Sequence, residues 1–227
     1  MDMVLREPMF YISFIYGVSF LLMSYVVFHG MKKATDITLI TIFYALNLFG
    51  LTHGVAELID WERFFLKATG AGEVEILKYL SQIFLIISFV VLLQFGVNLL
   101  TYRNEKKGTF RLIPVILVLV YVIVLFIIKT DDISKAGLIA RYTFGFSGAL
   151  LSGIALYNLA NSMKDVGNSK LIKGLVVAAS GFALYSVFGG LIIKPIIGLP
   201  IQLFRAACAL TIAISSFYVL DVFKASE

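Results

Sequence analysis

Seven times along this chain a run of about twenty apolar residues passes between short polar breaks. A bilayer core roughly 30 Å thick takes about 20 helical residues per crossing. Backbone N–H and C=O groups find no water there, so each run must satisfy its own hydrogen bonds as a helix. The runs place helices at about 9 to 30, 37 to 59, 76 to 101, 111 to 128, 136 to 160, 171 to 193 and 200 to 222. The fold class is therefore all-α, an integral membrane seven-transmembrane-helix bundle whose short loops leave no room for a second domain. Composition agrees: 60% hydrophobic, 15% charged and a mean hydropathy of +0.95 are too apolar for a soluble core of this length. The first run follows Asp2, Arg6 and Glu7 and ends without a small-residue cleavage site, which reads as a retained helix.

Basic residues near helix ends set orientation, because cytoplasmic loops carry the excess. One side holds Lys32, Lys33, Arg103, Lys106, Lys107, Arg111, Lys164, Lys170, Lys173 and Lys224. On the other, Arg6, Arg63, Lys67, Lys78, Lys129, Lys135 and Lys194 are mixed with Glu7, Glu62, Glu73, Glu75, Asp131 and Asp132. The expectation is a multi-pass protein of the cell (inner) membrane, N-terminus outside and C-terminus in the cytoplasm. This distribution also accounts for the formal charge of +5 without a nucleic-acid face. Cys208 is the only cysteine, so no disulfide forms within one chain. Thr35 and Asp36 read as caps of the second helix, and Gly70, Gly72, Gly108, Pro195 and Pro200 as breaks. Gly50 and Gly54, then Gly145, Ser147, Gly148, Ser152 and Gly153, then Gly174, Ala178 and Gly181 mark helix faces that allow close backbone approach.

Ionisable side chains inside a span cost on the order of 2.5 to 3.5 kcal/mol on insertion scales, so each needs a partner or a purpose. His53, Glu57 and Asp60 share one face of helix two at i, i+4 and i+7. By the helix rise His53 lies roughly 25 Å from the cytoplasmic start of that helix, while Arg141 and Arg205 lie roughly 7 Å inside the outer ends of helices five and seven. Gln82, Lys78, Tyr79, Tyr142 and Tyr185 fall at similar depth. Two readings are open: a buried network in which the arginines neutralise Glu57 and Asp60, or an outward-opening pocket whose guanidinium groups suit a carboxylate or phosphate ligand.

Three strings resemble the N-terminal seven-transmembrane-helix input (sensor) domain of bacterial and archaeal sensor histidine kinases. They are Phe49-Gly50-Leu51-Thr52-His53-Gly54-Val55-Ala56-Glu57 with Asp60-Trp61; Ala140-Arg141-Tyr142 with Gly145, Ser147, Gly148 and Ala149; and Pro200 with Arg205-Ala206 and Ala209. The resemblance implies a signal-transduction receptor of a two-component system. Helix seven would lead, through Arg205 and Asp221, to a cytoplasmic output domain or partner, and the protein would work as a homodimer. The chain carries no kinase, cyclase or phosphate-loop motif, so it is expected to be no enzyme itself.

The alternatives use the same residues. A haem on His53 with propionates on Arg141 or Arg205, or a metal ion on His53, Glu57 and Asp60, fits their depth. His29 lies at the other membrane face, which argues against bis-histidine haem, and two histidines so far apart argue against a zinc hydrolase. Helix seven has no lysine before Lys224 to hold retinal. A small transporter would suit the helix count, but the sequence offers no inverted repeat.

Overall fold

The computed structural model describes residues 8–32, 37–72, 74–102, 110, 112–129, 132–164 and 168–222. Thr35 and Asp36, read as caps, lie outside them, as do Asp2, Arg6, Glu7, Lys33, Glu73, Arg103, Lys106, Lys107, Gly108, Arg111, Asp131 and Lys224. The helices are α1 (Pro8–Met31), α2 (Ile37–Ala68), α3 (Glu75–Leu100), α4 (Ile113–Ile127), α5 (Ile133–Ser162), α6 (Ser169–Leu191) and α7 (Ile201–Val222). All except α4 are long and apolar enough to cross a membrane, as befits a multi-pass membrane protein. Among the described residues there is no strand; an isolated bridge between Ile196 and Leu199 closes the α6–α7 turn over Ile197 and Gly198, both at positive φ.

Two departures from the apolar runs have clear causes. Helix α2 does not stop near residue 59 but continues to Ala68, because Asp60 pairs with Arg63 one turn on and Trp61 and Phe65 pack on Phe10. It ends where Gly70 takes φ +80, a left-handed position that glycine adopts without strain. Helix α5 starts three residues earlier than the apolar run, at Ile133, since the Asp132 carboxylate accepts from the Ser134 N–H. That bond, with Lys78 and Lys135 nearby, holds the Asp132 carboxyl below the usual aspartate range.

Six helices form a closed ring in the order α1, α2, α3, α5, α6, α7 and back to α1. Pairs α1/α2, α2/α3, α5/α6 and α6/α7 are antiparallel, as Ser24 with Asn47, Ser81 with Asp60, Gly153 with Ala179 and Gly174 with Val219 illustrate. Two pairs are parallel. Helix α5 runs alongside α3, with Lys78 near Asp132, Gly145 on Phe89 and Gly96 on Ser152. Helix α7 ends beside the end of α1, Leu220 lying on Gly30. Helix α4 lies outside the ring, buries only Pro114 and Tyr121, and is pinned by the Tyr121 hydroxyl donating to the Ala136 carbonyl at 2.9 Å.

The ring is tight because small residues line its seams. A Cβ on Gly148 would stand 2.7 Å from the Leu93 backbone nitrogen, whereas one on Gly174 would come within 3.2 Å of the Val219 side chain and no nearer than an ordinary 3.5 Å to the Ser215 carbonyl and Tyr218 Cβ. Gly148→Ala should therefore destabilise by about 1–3 kcal/mol through overpacking against backbone. Gly174→Ala should be much milder, since a side chain can give way. Thermal unfolding of the two purified variants in one detergent checks this, and a larger loss for Gly174→Ala contradicts the α3/α5 seam.

Candidate functional site

His53 sits at the centre of the ring, fully buried, and both its ring nitrogens are engaged. The Ser88 hydroxyl of α3 donates to the Leu85 carbonyl at 2.6 Å, so it accepts from His53 Nδ1 at 2.9 Å. The network thereby assigns the imidazole proton to Nδ1 and leaves Nε2 as an acceptor. Two hydroxyls approach Nε2, Tyr16 of α1 at 3.0 Å and Tyr185 of α6 at 3.1 Å, and Glu57 Oε1 lies 3.6 Å away. One nitrogen lone pair takes one proton, so the second tyrosine must turn elsewhere; Tyr16 also interacts with Tyr185 and with Glu57. Phe20, Phe49 and Phe89 close around the imidazole with ring centroids 4.3, 5.3 and 5.4 Å away. Four helices thus meet at one side chain.

The two arginines act just beyond Tyr185, on a different kind of partner. Helix α6 changes there to a π-helical stretch, Ser186–Leu191, and stops. The last carbonyls of a helix lack intrahelical donors, and inside an apolar medium they need others. Arg205 of α7 supplies Nε to the Phe188 carbonyl at 2.7 Å and Nη2 to that of Ile192 at 2.8 Å. Arg141 of α5 supplies Nη1 to the Gly189 carbonyl at 2.7 Å and lies over the Phe89 ring. A cation at a helix C-terminus is also favoured by the peptide dipoles. Arg141 itself opens a second π-helical stretch, Arg141–Gly145, and the two wide turns face each other. Glycines make room for them. A Cβ on Gly189 would strike the Tyr185 ring at 2.7 Å, and one on Gly190 the Phe146 Cα at 2.6 Å.

Of the residues expected to converge, His53 and Glu57 touch, and both guanidinium groups lie in electrostatic range of Glu57. The arginines hold helix-end carbonyls, whereas the first of the two readings paired them with Glu57 and Asp60. Asp60 turns outward to Arg63 and to the Ser81 hydroxyl at 3.3 Å, its side chain 48% exposed. Gln82 abuts Gly137 at the α3/α5 seam, and Tyr142 is 41% exposed on the outside of α5. Asp221 lies in the last turn of α7. Among the described residues no three His, Cys, Asp or Glu side chains are grouped to hold a metal. With Asp60 turned away, both His53 nitrogens bonded and its faces covered by phenylalanines, neither the metal set nor a haem fits the packing around that histidine.

The residues that sequence reasoning missed are Tyr16, Ser88, Gly189 and Gly190. Tyr16 and Ser88 are hydroxyls within apolar runs, invisible to a search for ionisable groups alone. No family model, curated protein or solved structure matches the chain.

Because either tyrosine can serve Nε2, the two should be redundant. Tyr16→Phe and Tyr185→Phe alone should each cost under about 1 kcal/mol. The double variant leaves Nε2 buried and unpaired and should cost about 1–3 kcal/mol beyond their sum. A double-mutant cycle on thermal stability measures this directly; strict additivity would show that only one hydroxyl serves the imidazole.

Proposed function

We propose that this protein is a seven-span receptor-type input domain of the cell (inner) membrane that binds a small anion at Arg141 and Arg205 and transmits the event through α7. The observation that carries the reading is that two arginines from different helices share one helix end as their partner. Carbonyls are neutral acceptors, and a carboxylate or phosphate forms charge-assisted bonds roughly twice as strong with the same guanidinium groups. An anion reaching them would compete with the end of α6, and the outcome differs between bound and free states, as a switch requires. Arg205 is the member of the pair on α7, so its release from Phe188 and Ile192 loosens the α6/α7 joint. Glu57 supplies a competing negative charge that favours the unliganded arrangement.

Support for seven crossings comes from direction. Helices α3 and α5 are parallel, so the chain must return across the bundle between them, and α4 is the helix it has for that passage. Its 15 residues span about 22 Å. With the basic loops on the cytoplasmic side, the N-terminus is outside and the C-terminus inside. In a Cys208→Ser background, a cysteine at Asp131 should react with an impermeant reagent on intact cells and one at Lys107 should not; the reverse pattern overturns the orientation, and equal reactivity the crossing of α4.

Ligand binding is checked by thermal unfolding of the purified chain with formate, acetate, succinate and inorganic phosphate. A saturating anion at about 100 times its dissociation constant should stabilise by about 2.7 kcal/mol. The shift should vanish in Arg205→Ala and be only partly retained in Arg205→Lys, since an ammonium lacks the planar fork. No shift with any of these anions, or an undiminished shift in Arg205→Ala, contradicts the reading. A transporter reading draws on one observation: α1–α3 and α5–α7 are two three-helix units running in the same sense, the relation of a parallel repeat. Uptake of a stabilising anion into proteoliposomes would favour it over the receptor.

A further inference from the structure

At the opposite end of the bundle from the arginines, the start of α6 and the end of α7 enclose a groove of about 370 Å³. Its floor is Gly174, where the helices come so close that a Cβ would lie 3.2 Å from Val219 and 3.5 Å from the Cβ of Tyr218. Val177, Ile214 and Tyr218 form its apolar walls, each about half exposed. Lys170 and Lys173, one turn apart on the same face of α6, form the rim, and no lining residue is acidic.

We infer that this groove is a binding site for an anionic phospholipid, with the headgroup phosphate on Lys170 and Lys173 and an acyl chain along Val177, Ile214 and Tyr218. Three features select this occupant. The walls belong to helices apolar enough to cross a membrane, so what meets them is hydrocarbon. The lysines stand at the first turn of α6, the level of the headgroups, where long basic side chains reach phosphate. A cationic rim over an apolar slot matches a molecule that carries both a negative head and a tail, as basic pockets between spanning helices do. A lipid seated there touches the last turns of α7.

The test is retention of phosphatidylglycerol against phosphatidylcholine by the full chain in detergent, read by native mass spectrometry over a lipid titration. The parent should prefer phosphatidylglycerol. Lys170→Gln with Lys173→Gln should weaken it about twenty-five-fold, at roughly a factor of five for each lysine. Val177→Trp, which fills the slot from an exposed position without touching the lysines, should also weaken it at least several-fold. Lys164→Gln, at the same end but outside the groove, should leave it unchanged. The inference is overturned if the parent shows no preference, if Val177→Trp binds like the parent, or if Lys164→Gln weakens binding as much as the double variant. Inorganic phosphate should not displace the lipid; displacement would mark a site for the free anion instead.

Discussion

A helix that stops inside an apolar medium exposes carbonyls that neither water nor its own backbone can satisfy, and the centre of this bundle is organised around one such end. Helix α6 widens into a π-helical stretch after Tyr185 and finishes at Leu191. Arg141 and Arg205 reach it from either side, one from α5 and one from α7. Each arginine thereby solves two problems, since a buried guanidinium needs acceptors as much as the carbonyls need donors. Just before the widened turn, Tyr185 joins Tyr16 at His53, so α6 is fastened on both sides of the place where its regular hydrogen bonding changes.

The closeness of the ring follows from the same economy of space. Gly189 and Gly190 admit the Tyr185 ring and the α5 backbone, and Gly145 admits Phe89, so both wide turns sit where side chains are absent. Wide helical turns of this kind recur at functional positions because they redirect side chains without ending the helix. Here one of them carries Arg141, and the other forms the helix end that Arg141 and Arg205 of α7 both hold. That arrangement is satisfied by the carbonyls, and the proposed sensing role rests on an anion competing for the same guanidinium groups.

Much of the fold was legible from apolar run length alone, since all seven helices were located within a few residues at most ends. The end of α2 was not, because the run-length rule stops at charge and cannot see that Asp60 and Arg63 neutralise one another along the helix while Trp61 finds Phe10. At the site, depth brought His53, Glu57, Arg141 and Arg205 to one level, and the structure brings them near one another. What depth could not supply was partner choice. Carboxylates are visible in a sequence as charges, whereas a helix end with free carbonyls is visible only once the π-helical stretch at Gly189 and Gly190 is known. Tyr16 and Ser88 escaped for a related reason, as neutral hydroxyls become informative only when a buried imidazole needs them.

The span of the His53 cluster along the chain bears on how the protein is made. Ser88 and Tyr16 lie within 37 residues of the histidine, but Tyr185 is 132 residues away and Arg205 further still. As helices leave the ribosome and insert in order, α1, α2 and α3 can assemble with the imidazole already bonded to Ser88 and Tyr16. That three-helix unit tolerates the wait for α6, because its most polar core side chain is not left unsatisfied. The second half has no such provision: α6 emerges with its terminal carbonyls held only by Arg141 until α7 delivers Arg205. Closure of the ring and completion of the α6 end are therefore one event, which makes insertion of α7 the step on which assembly of this ring depends.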